Sequence, residues 1–329
     1  MKSLLVLLRL VALAFVVLSP AANATDGVIE INHARALAGS VTPGDTPGYP
    51  VTISLPGSYK LTGNLSQESA DTDVIQVTDA GDSSLDLNGF AIVGANVCVL
   101  SSSPAAVNCS GNGIGEGINA CFGSVRLVVK NGAIRGMGRF GVDICLGNGY
   151  AQNIQVSNNG SDGIVIYSGT IERSKTSLNG GKGIAMHDGS VSDSTVSQNG
   201  GDGIAILGGE GVARNNMVSE NVGIGIRAKG VTEGNTISRN DSAGFSGDGA
   251  VARNYITNNG SYGIVVFNQA TVTGNVVKDN AGYGLGGTGV AYGLNSFMGN
   301  NGGGGQIDTS LGILTSVPSN SNVCGITPC

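Results

Sequence analysis

The stretch Asn199–Gly211, NGGDGIAILGGEG, is rich in glycine and carries Ile204 and Ile206 in the alternation of a β-strand. A glycine followed by an apolar residue, as in Gly203-Ile204, recurs along the chain at steps of 19 to 22 residues. The other pairs begin at Gly141, Gly163, Gly183, Gly225, Gly244, Gly263 and Gly284. The stretch is therefore one unit of a repeat, and the repeat predicts the fold.

When the units are aligned on this glycine, other positions also carry the same residue type in most units, and each such position is called a column. Apolar residues follow the glycine and recur two positions later in most units. A second asparagine column comprises Asn216, Asn235, Asn254, Asn275 and Asn295, with Ser174 and Ser194 in the earlier units. Four residues before the glycine stands the first asparagine column: Asn159, Asn179, Asn199, Asn221, Asn240, Asn259 and Asn280, continued by Asn300.

A period near 20 residues is too short for two helices and their turns, and the leucine spacing of leucine-rich repeats is missing. The pattern favours a coil of two or three short strands, stacked so that successive coils pair in parallel about 4.8 Å apart. Inward apolar residues then build a continuous core. Stacked asparagines at a repeated turn are expected to take the left-handed conformation and to hydrogen-bond from coil to coil. Glycine at the next corner allows positive φ and close backbone approach.

These columns resemble the right-handed parallel β-helix repeats of the pectin-lyase-like superfamily, of the exported bacterial type. The resemblance covers about residues 50–310 and implies an all-β, single-stranded right-handed parallel β-helix of about eleven coils. That superfamily includes lyases, hydrolases, epimerases and non-enzymatic proteins, so the resemblance does not decide a function. Right-handedness agrees with the rule for parallel crossovers.

The ends and one interruption of the repeat define the expected organisation. Residues 1–24 have the basic start, apolar run and small-residue cleavage pattern of a signal peptide. Residues 25–50 are expected to cap the solenoid, with a short helix over 28–38. Residues 51–310 form the β-helix, interrupted by a loop at about 95–120, and residues 311–329 form a C-terminal tail closed by a disulfide.

The six cysteines indicate disulfides in an exported chain. Six cysteines allow 15 pairings, which the sequence cannot resolve. Proximity favours Cys98 with Cys109 and Cys324 with Cys329, which leaves Cys121 with Cys145. A metal site is not expected, because the chain has only two histidines and no Cys-x-x-Cys.

Charge and composition exclude several partners. The net charge is −6 with no basic block, which argues against nucleic acid and anionic lipid. No segment after the signal peptide is long and apolar enough to span a bilayer. The Gly284–Gly289 stretch, GLGGTG, has no following helix pattern or acidic partner, so no cofactor is expected. The expected location is periplasmic or extracellular.

One outward column, four residues after the repeated glycine, varies from coil to coil and is the candidate site. A sugar chain lying along it would stack on Tyr167 and Phe267. His187 is a candidate base and Lys229 a candidate cation, but two coils, about 10 Å, separate them. Arg227 lies beside the column in sequence, and Asp248 within it is a third candidate for catalysis.

Two functions follow from these residues. The first is an exported scaffold for structure or surface recognition, with a polysaccharide or cell-surface glycan as its partner. The alternative is a carbohydrate-active enzyme, a polysaccharide lyase or uronate epimerase that acts on an acidic polysaccharide. The Asp-Pro-His type signature of related alginate epimerases and the basic cluster of pectate lyases are both missing, so the sequence does not establish an enzyme.

Overall fold

The computed structural model describes residues 27–78, 80–102, 105–111, 113–123, 125–318 and 321–329. The predicted signal peptide lies outside these residues. The described chain is an all-β parallel solenoid of about twelve turns. It has one turn more than the sequence predicts, because Val28–Ile31 is a strand that pairs in parallel with Gly57–Leu61. Of the helix predicted over 28–38, only His33–Ala38 is helical.

The first sheet begins after each repeated glycine. Its strands pair in parallel with the coils before and after them, and five of them bend into the second sheet without a break. The strands are Val51–Ile53, Ile75–Thr78, Ile118–Phe122, Val142–Ser157, Ile164–Glu172, Ile184–Ser192, Ile204–Arg214, Ile226–Glu233, Phe245–Gly247, Ile264–Val266, Leu285–Gly287 and Ile307–Asp308.

The second sheet contains the later parts of those five long strands and the first part of Val125–Arg135. Its other strands are Val28–Ile31, Gly57–Leu61, Asp82–Asp86, Ala250–Ala252, Ala270–Thr273, Val290–Gly293 and Leu314–Ser316.

The third sheet closes each coil. It contains the ends of Val125–Arg135 and Val142–Ser157. Its other strands are Leu65–Ser66, Ala91–Val93, Lys175–Ser177, Thr195–Ser197, Met217–Ser219, Thr236–Ser238, Tyr255–Thr257, Val276–Lys278, Ser296–Met298 and Val323–Cys324, the last paired with the antiparallel strand Thr327–Pro328.

The interior is filled by the columns that the repeat predicts. Ile204 and Ile206 are fully buried, and Ile204 pairs in register with Ile184 and Ile226 in the neighbouring coils. Val218 of the third sheet completes the same coil and is also fully buried. Burial of such an aliphatic side chain contributes about 1.5–3 kcal/mol, so the stacked columns are the main source of stability.

The buried asparagines form two ladders. Asn199 donates from Nδ2 to Asn221 Oδ1 at 2.9 Å, and its own Oδ1 accepts from Asn179 Nδ2 at 2.9 Å. Asn179 also donates its backbone N–H to that oxygen. The first ladder runs from Asn159 through Asn300 and ends on Gln306. The second runs from Asn216 through Asn295 and ends on Asn322, which the repeat did not identify.

The left-handed conformation does not fall on the ladder asparagines, in contrast to the sequence-based expectation. It falls one residue earlier, as at Gln198 (φ 57°) before Asn199. The repeated glycine likewise lacks positive φ. A Cβ at Gly203 would lie 2.5 Å from Val218 Cγ1 and 2.7 Å from the Gly225 carbonyl oxygen. Glycine is needed there because the next coil approaches too closely for any side chain.

The interruption at 95–120 contains an antiparallel hairpin, Cys98–Ser102 and Ala105–Cys109, with Cys98 and Cys109 joined by a disulfide. It lies against the turn glycines of later coils, where Val107 Cβ would be 3.3 Å from a Cβ at Gly200. The other disulfides join Cys121 with Cys145 and Cys324 with Cys329. No helix in the described chain is long and apolar enough to cross a membrane.

Candidate functional site

The outward face of the first sheet carries a groove formed by two adjoining pockets, which we call the sheet-1 groove. The first pocket has a volume of about 380 Å³ and the second about 200 Å³, and Leu207 lines both. Small or branched outward residues such as Ala185 and Val165 lie between larger side chains and leave the groove open. The groove therefore follows the column that the sequence singled out.

The first pocket is built around two stacked rings. The rings of Tyr167 and His187 lie 4.6 Å apart between centroids with an interplanar angle of 17°. His187 also covers Gly208, where a Cβ would lie 2.1 Å from its Nε2. The ring of His187 is thus held between Tyr167 and a glycine, while Tyr167 remains 48% exposed.

His187 has a carboxylate beside it. Its Nδ1 lies 3.3 Å from Asp188 Oδ2, and both side chains are partly exposed. Hydrogen bonds from Ser168 and from His187 hold the pKa of Asp188 below its ordinary value. Asp188 therefore remains ionised at neutral pH and orients the imidazole.

The second pocket brings together Arg227, Lys229, Asp248 and Phe267. Arg227 Nε lies 3.0 Å from Asp202 Oδ2, so its charge is already paired. In the described residues, Lys229 has no carboxylate within ion-pair distance. Phe267 is 46% exposed and offers an apolar face at the far end. The role of Asp202 as the partner of Arg227 was not identified from the sequence.

His187 and Lys229 do not share one pocket. They follow Met186 and Ala228, which lie two coils apart with Ile206 between them in register. The strand spacing separates these positions by about 10 Å, as the sequence predicts. The groove is lined by all the candidate residues, but they do not meet at one reaction centre. They are Tyr167, His187, Arg227, Lys229, Asp248 and Phe267.

Two buried carboxyl groups beyond the first pocket were missed by the sequence analysis. Asp143 is 6% exposed and Glu116 is 1% exposed, and each has one oxygen without a hydrogen-bond partner. Burial, with Asp143 and Asp73 nearby, raises the pKa of Glu116 to about 8 against the effect of Arg139, whose Nη1 lies 3.1 Å away. Burial also raises the pKa of Asp143 to about 6. Because both are covered, neither presents its carboxyl group to a polymer in the groove.

Among the described residues, one group of metal-ligand side chains has its donor atoms within 4.8 Å of one another: Cys121, Asp143 and Cys145. The two sulfurs form a disulfide and so are not thiolate ligands. As it stands, the group does not have the chemistry of a metal site.

Comparison with known proteins identifies the fold. Residues 169–301 match the family model described as a right handed beta helix region. No curated protein sequence matches the chain. Among solved structures, the catalytic domain of a GH87 alpha-1,3-glucanase in complex with nigerose superposes with a TM-score of 0.55 and 14% identity, over 92% of this chain and 70% of that one.

The periplasmic alginate epimerase AlgG superposes with a TM-score of 0.52 and 13% identity, over 84% of this chain and 76% of that one. The catalytic domain of Agl-KA gives a TM-score of 0.43 and 13% identity over 84% of this chain, which spans only 62% of that domain. At these identities the likeness concerns the fold alone. The described chain thus has the parallel β-helix fold of these solved structures, and its residues 169–301 match the right handed beta helix region.

Proposed function

We propose that this protein is an exported β-helix that binds polysaccharide along the sheet-1 groove. The observation on which the proposal rests is the open groove with aromatic faces at both ends, Tyr167 stacked on His187 and Phe267 beyond Lys229. Five strand spacings, about 24 Å, separate Tyr167 from Phe267. That length suits an oligosaccharide segment of a polymer better than a single sugar.

The residue types along the groove support this ligand class. Aromatic rings offer a flat apolar face to the C–H groups of a sugar ring, and their rigidity lowers the entropy cost of binding. Lys229, Asp248 and the Arg227–Asp202 pair lie between the rings and supply donors and acceptors for hydroxyl groups. Tyr167, Arg227 and Lys229 lie in parallel strands, and Asp248 and Phe267 directly follow two others, so the stacked coils fix the spacing along the groove.

The disulfides and the structural neighbours support export and a glycan partner. Three disulfides fit an oxidising compartment, the periplasm or the exterior. Two structural neighbours carry carbohydrate in their descriptions, one a complex with nigerose and the other an alginate epimerase. These facts support a polysaccharide or cell-surface glycan as the partner.

The test is a glycan-array screen of the purified protein, followed by titration calorimetry with the best oligosaccharide. Tyr167→Ala and Phe267→Ala are expected to weaken binding about tenfold each, which corresponds to about 1.4 kcal/mol. Tyr255→Ala is the matched control, because Tyr255 is 40% exposed on the third sheet, away from the groove. Equal affinities for all four proteins would contradict the proposal.

A second candidate is a carbohydrate-active enzyme, a lyase or epimerase for an acidic polysaccharide. It is favoured by the second pocket, where the unpaired cation Lys229 lies with Arg227 and the carboxyl group of Asp248. A cation there would neutralise a uronate carboxylate while a base removes the neighbouring proton. Incubation with alginate and pectate would reveal a lyase by ultraviolet absorption of unsaturated products, and epimerisation by proton NMR.

Substitutions separate the two candidates. If the protein is an enzyme, Lys229→Ala is expected to lower turnover at least tenfold, and His187→Ala and Asp248→Asn test the other proposed roles. Binding without turnover on a wide panel of polymers would leave the recognition function and exclude the enzyme.

A further inference from the structure

The Cys121–Cys145 disulfide occupies a different position from the other two. It links two successive coils on the outward side of the first sheet, and Cys145 lines the first pocket of the groove beside Tyr167. Both cysteines are partly exposed. In the hairpin, Cys98 is 4% exposed and Cys109 is partly exposed, but both sulfurs lie against the carbonyl oxygen of Asn159 rather than in a pocket of the groove. A small molecule in the groove can therefore reach Cys145.

A carboxyl group lies beside this disulfide. A carboxyl oxygen of Asp143 and the two sulfur atoms all lie within 4.8 Å of one another. Asp143 is 6% exposed, and its Oδ1 has no hydrogen-bond partner. An unpartnered buried carboxyl oxygen lowers the stability of the folded state. Neither hairpin nor tail disulfide belongs to such a group in the described chain.

We propose that Cys121–Cys145 is a redox-active disulfide that exchanges with thiols entering the groove, with Asp143 as its proton donor and acceptor. The substrate class is a low-molecular-weight thiol or an exposed protein cysteine. This activity is independent of polysaccharide binding, although it takes place at the same groove.

The exchange balances in two steps. An incoming thiolate attacks Cys145 Sγ, the S–S bond breaks, and Cys121 leaves with the electron pair and takes a proton from the protonated Asp143. A second thiolate then attacks the outer sulfur of the mixed disulfide and releases Cys145 as a thiolate, which takes a proton from water. Overall, two thiols are oxidised to one disulfide and the protein gains two thiols. In the reverse direction the Asp143 carboxylate removes the proton from Cys121.

Several charged groups face Asp143. Asp162 and Asp73 raise its pKa in addition to burial, Arg139 lowers it, and Glu116 is electrostatically coupled to it. With a pKa of about 6, Asp143 changes protonation within the range in which both directions of exchange can be measured. Re-oxidation should therefore accelerate as pH rises through about 6, before the thiols themselves ionise near 8.5.

The test compares the three disulfides within one folded protein. The protein is treated with reduced glutathione at several pH values, quenched with acid, and analysed by differential alkylation and peptide mass spectrometry. Cys121–Cys145 is expected to be reduced at least tenfold faster than Cys98–Cys109. Its re-oxidation by glutathione disulfide is expected to show an inflection near pH 6 that the accessible Cys324–Cys329 pair lacks.

Substitution assigns the proton transfer. Asp143→Asn is expected to slow re-oxidation of Cys121 and Cys145 at least tenfold and to abolish the inflection, with the other two pairs unchanged. Asp162→Asn is the control, because Asp162 faces Asp143 but is not in the group with the sulfurs. It should keep the inflection but move it to lower pH, since Asp162 raises the pKa of Asp143. If Asp143→Asn fails to fold, the three-disulfide comparison in the unmodified protein still decides. Reduction of Cys121–Cys145 no faster than Cys98–Cys109, or a pH profile shared by all three, would overturn the proposal.

Discussion

The coils before residue 137 and those after it are built differently. From Gly141 to Asn300 each coil repeats buried apolar residues, one asparagine ladder and one close-packed glycine, and a second asparagine ladder joins them from Asn216 onward. The described residues of the earlier coils form no ladder, carry the hairpin of Cys98–Cys109 and bury Glu116, while Asp143 is buried in the first coil after the boundary. Where every column is uniform, its residues are explained by packing. The departures from uniformity, including the varied outward column of the later coils, are where the groups with unusual chemistry lie.

The largest effect is expected from charging the regular core. Ile204→Asp buries a carboxylate among Ile184, Ile206 and Ile226, so we expect a loss of about 4 kcal/mol or more, or failure to fold. Thermal and urea unfolding measure it. Leu207→Asp on the same strand is the control, because Leu207 is 47% exposed and its substitution should change stability little. Equal losses for both variants would contradict the assignment of inward and outward positions.

The buried carboxyl groups should make the free energy of unfolding depend on pH. The native state holds a proton on Glu116 up to about pH 8, whereas the unfolded chain releases it near 4.5. The native state thus binds more protons between these values, and the free energy of unfolding falls with rising pH by up to about 5 kcal/mol. Asp143 adds to the fall up to about pH 6.

Glu116→Gln keeps the neutral form and should flatten that decline, most visibly between pH 6 and 8 in urea unfolding. Glu210→Gln, at an exposed position, should leave the slope as it is in the unmodified protein. A steep decline that persists in Glu116→Gln would mean that another group is responsible.

An intermediate effect is expected in the ladder. Asn199→Ala removes the acceptor of two donors from Asn179, its amide side chain and its backbone N–H, and leaves both buried. We expect a loss of about 2–3 kcal/mol in urea unfolding. Asn148→Ala, an exposed strand asparagine, should cost less than about 0.5 kcal/mol. A ladder variant as stable as this control would show that the amide ladder does not stabilise the coils.

The smallest effect on stability is expected from one of two glycine substitutions within the stretch Asn199–Gly211. The three atoms nearest to a Cβ at Gly208 all belong to the ring of His187, a partly exposed side chain that can move. For Gly208→Ala we therefore expect a loss of less than about 0.5 kcal/mol but a disturbed Tyr167–His187 stack. The loss of that stack should appear as weaker glycan binding. Gly200→Ala places a Cβ 2.2 Å from the carbonyl oxygen of Gly180, which cannot move, and should destabilise clearly. Equal stability of the two variants would contradict this distinction.

Much of the regular half could be predicted from the sequence. The columns identify the parallel solenoid because each coil packs against neighbours of the same shape and therefore needs the same residue types. The period, the inward residues and the varied outward column can all be found in the sequence. The left-handed residue was placed wrongly, on Asn199 rather than Gln198, because the ladder amide and the turn backbone impose different requirements on adjacent positions.

The irregular half could not be predicted to the same depth. Glu116 and Asp143 have no carboxyl counterparts in their columns, and Glu116 lies within the interruption at 95–120, where it pairs with Arg139. The cysteine pairs could be predicted without knowing how the irregular coils fold, because the two cysteines of each pair are close along the chain or in neighbouring coils. Asp202, the partner of Arg227, could not be identified from the sequence, because the pairing joins residues of neighbouring coils that no repeated column marks.

The ladders also give the rod a polarity. Every side-chain amide donates toward the next coil in the C-terminal direction, so the amide dipoles add along the axis, as in a hydrogen-bonded chain of amide molecules. At one end Asn159 Oδ1 accepts from the backbone of Met137, and at the other Gln306 substitutes its own amide for the missing asparagine. The two ends are therefore chemically distinct, and another coil could extend the series only with its amide facing the same way.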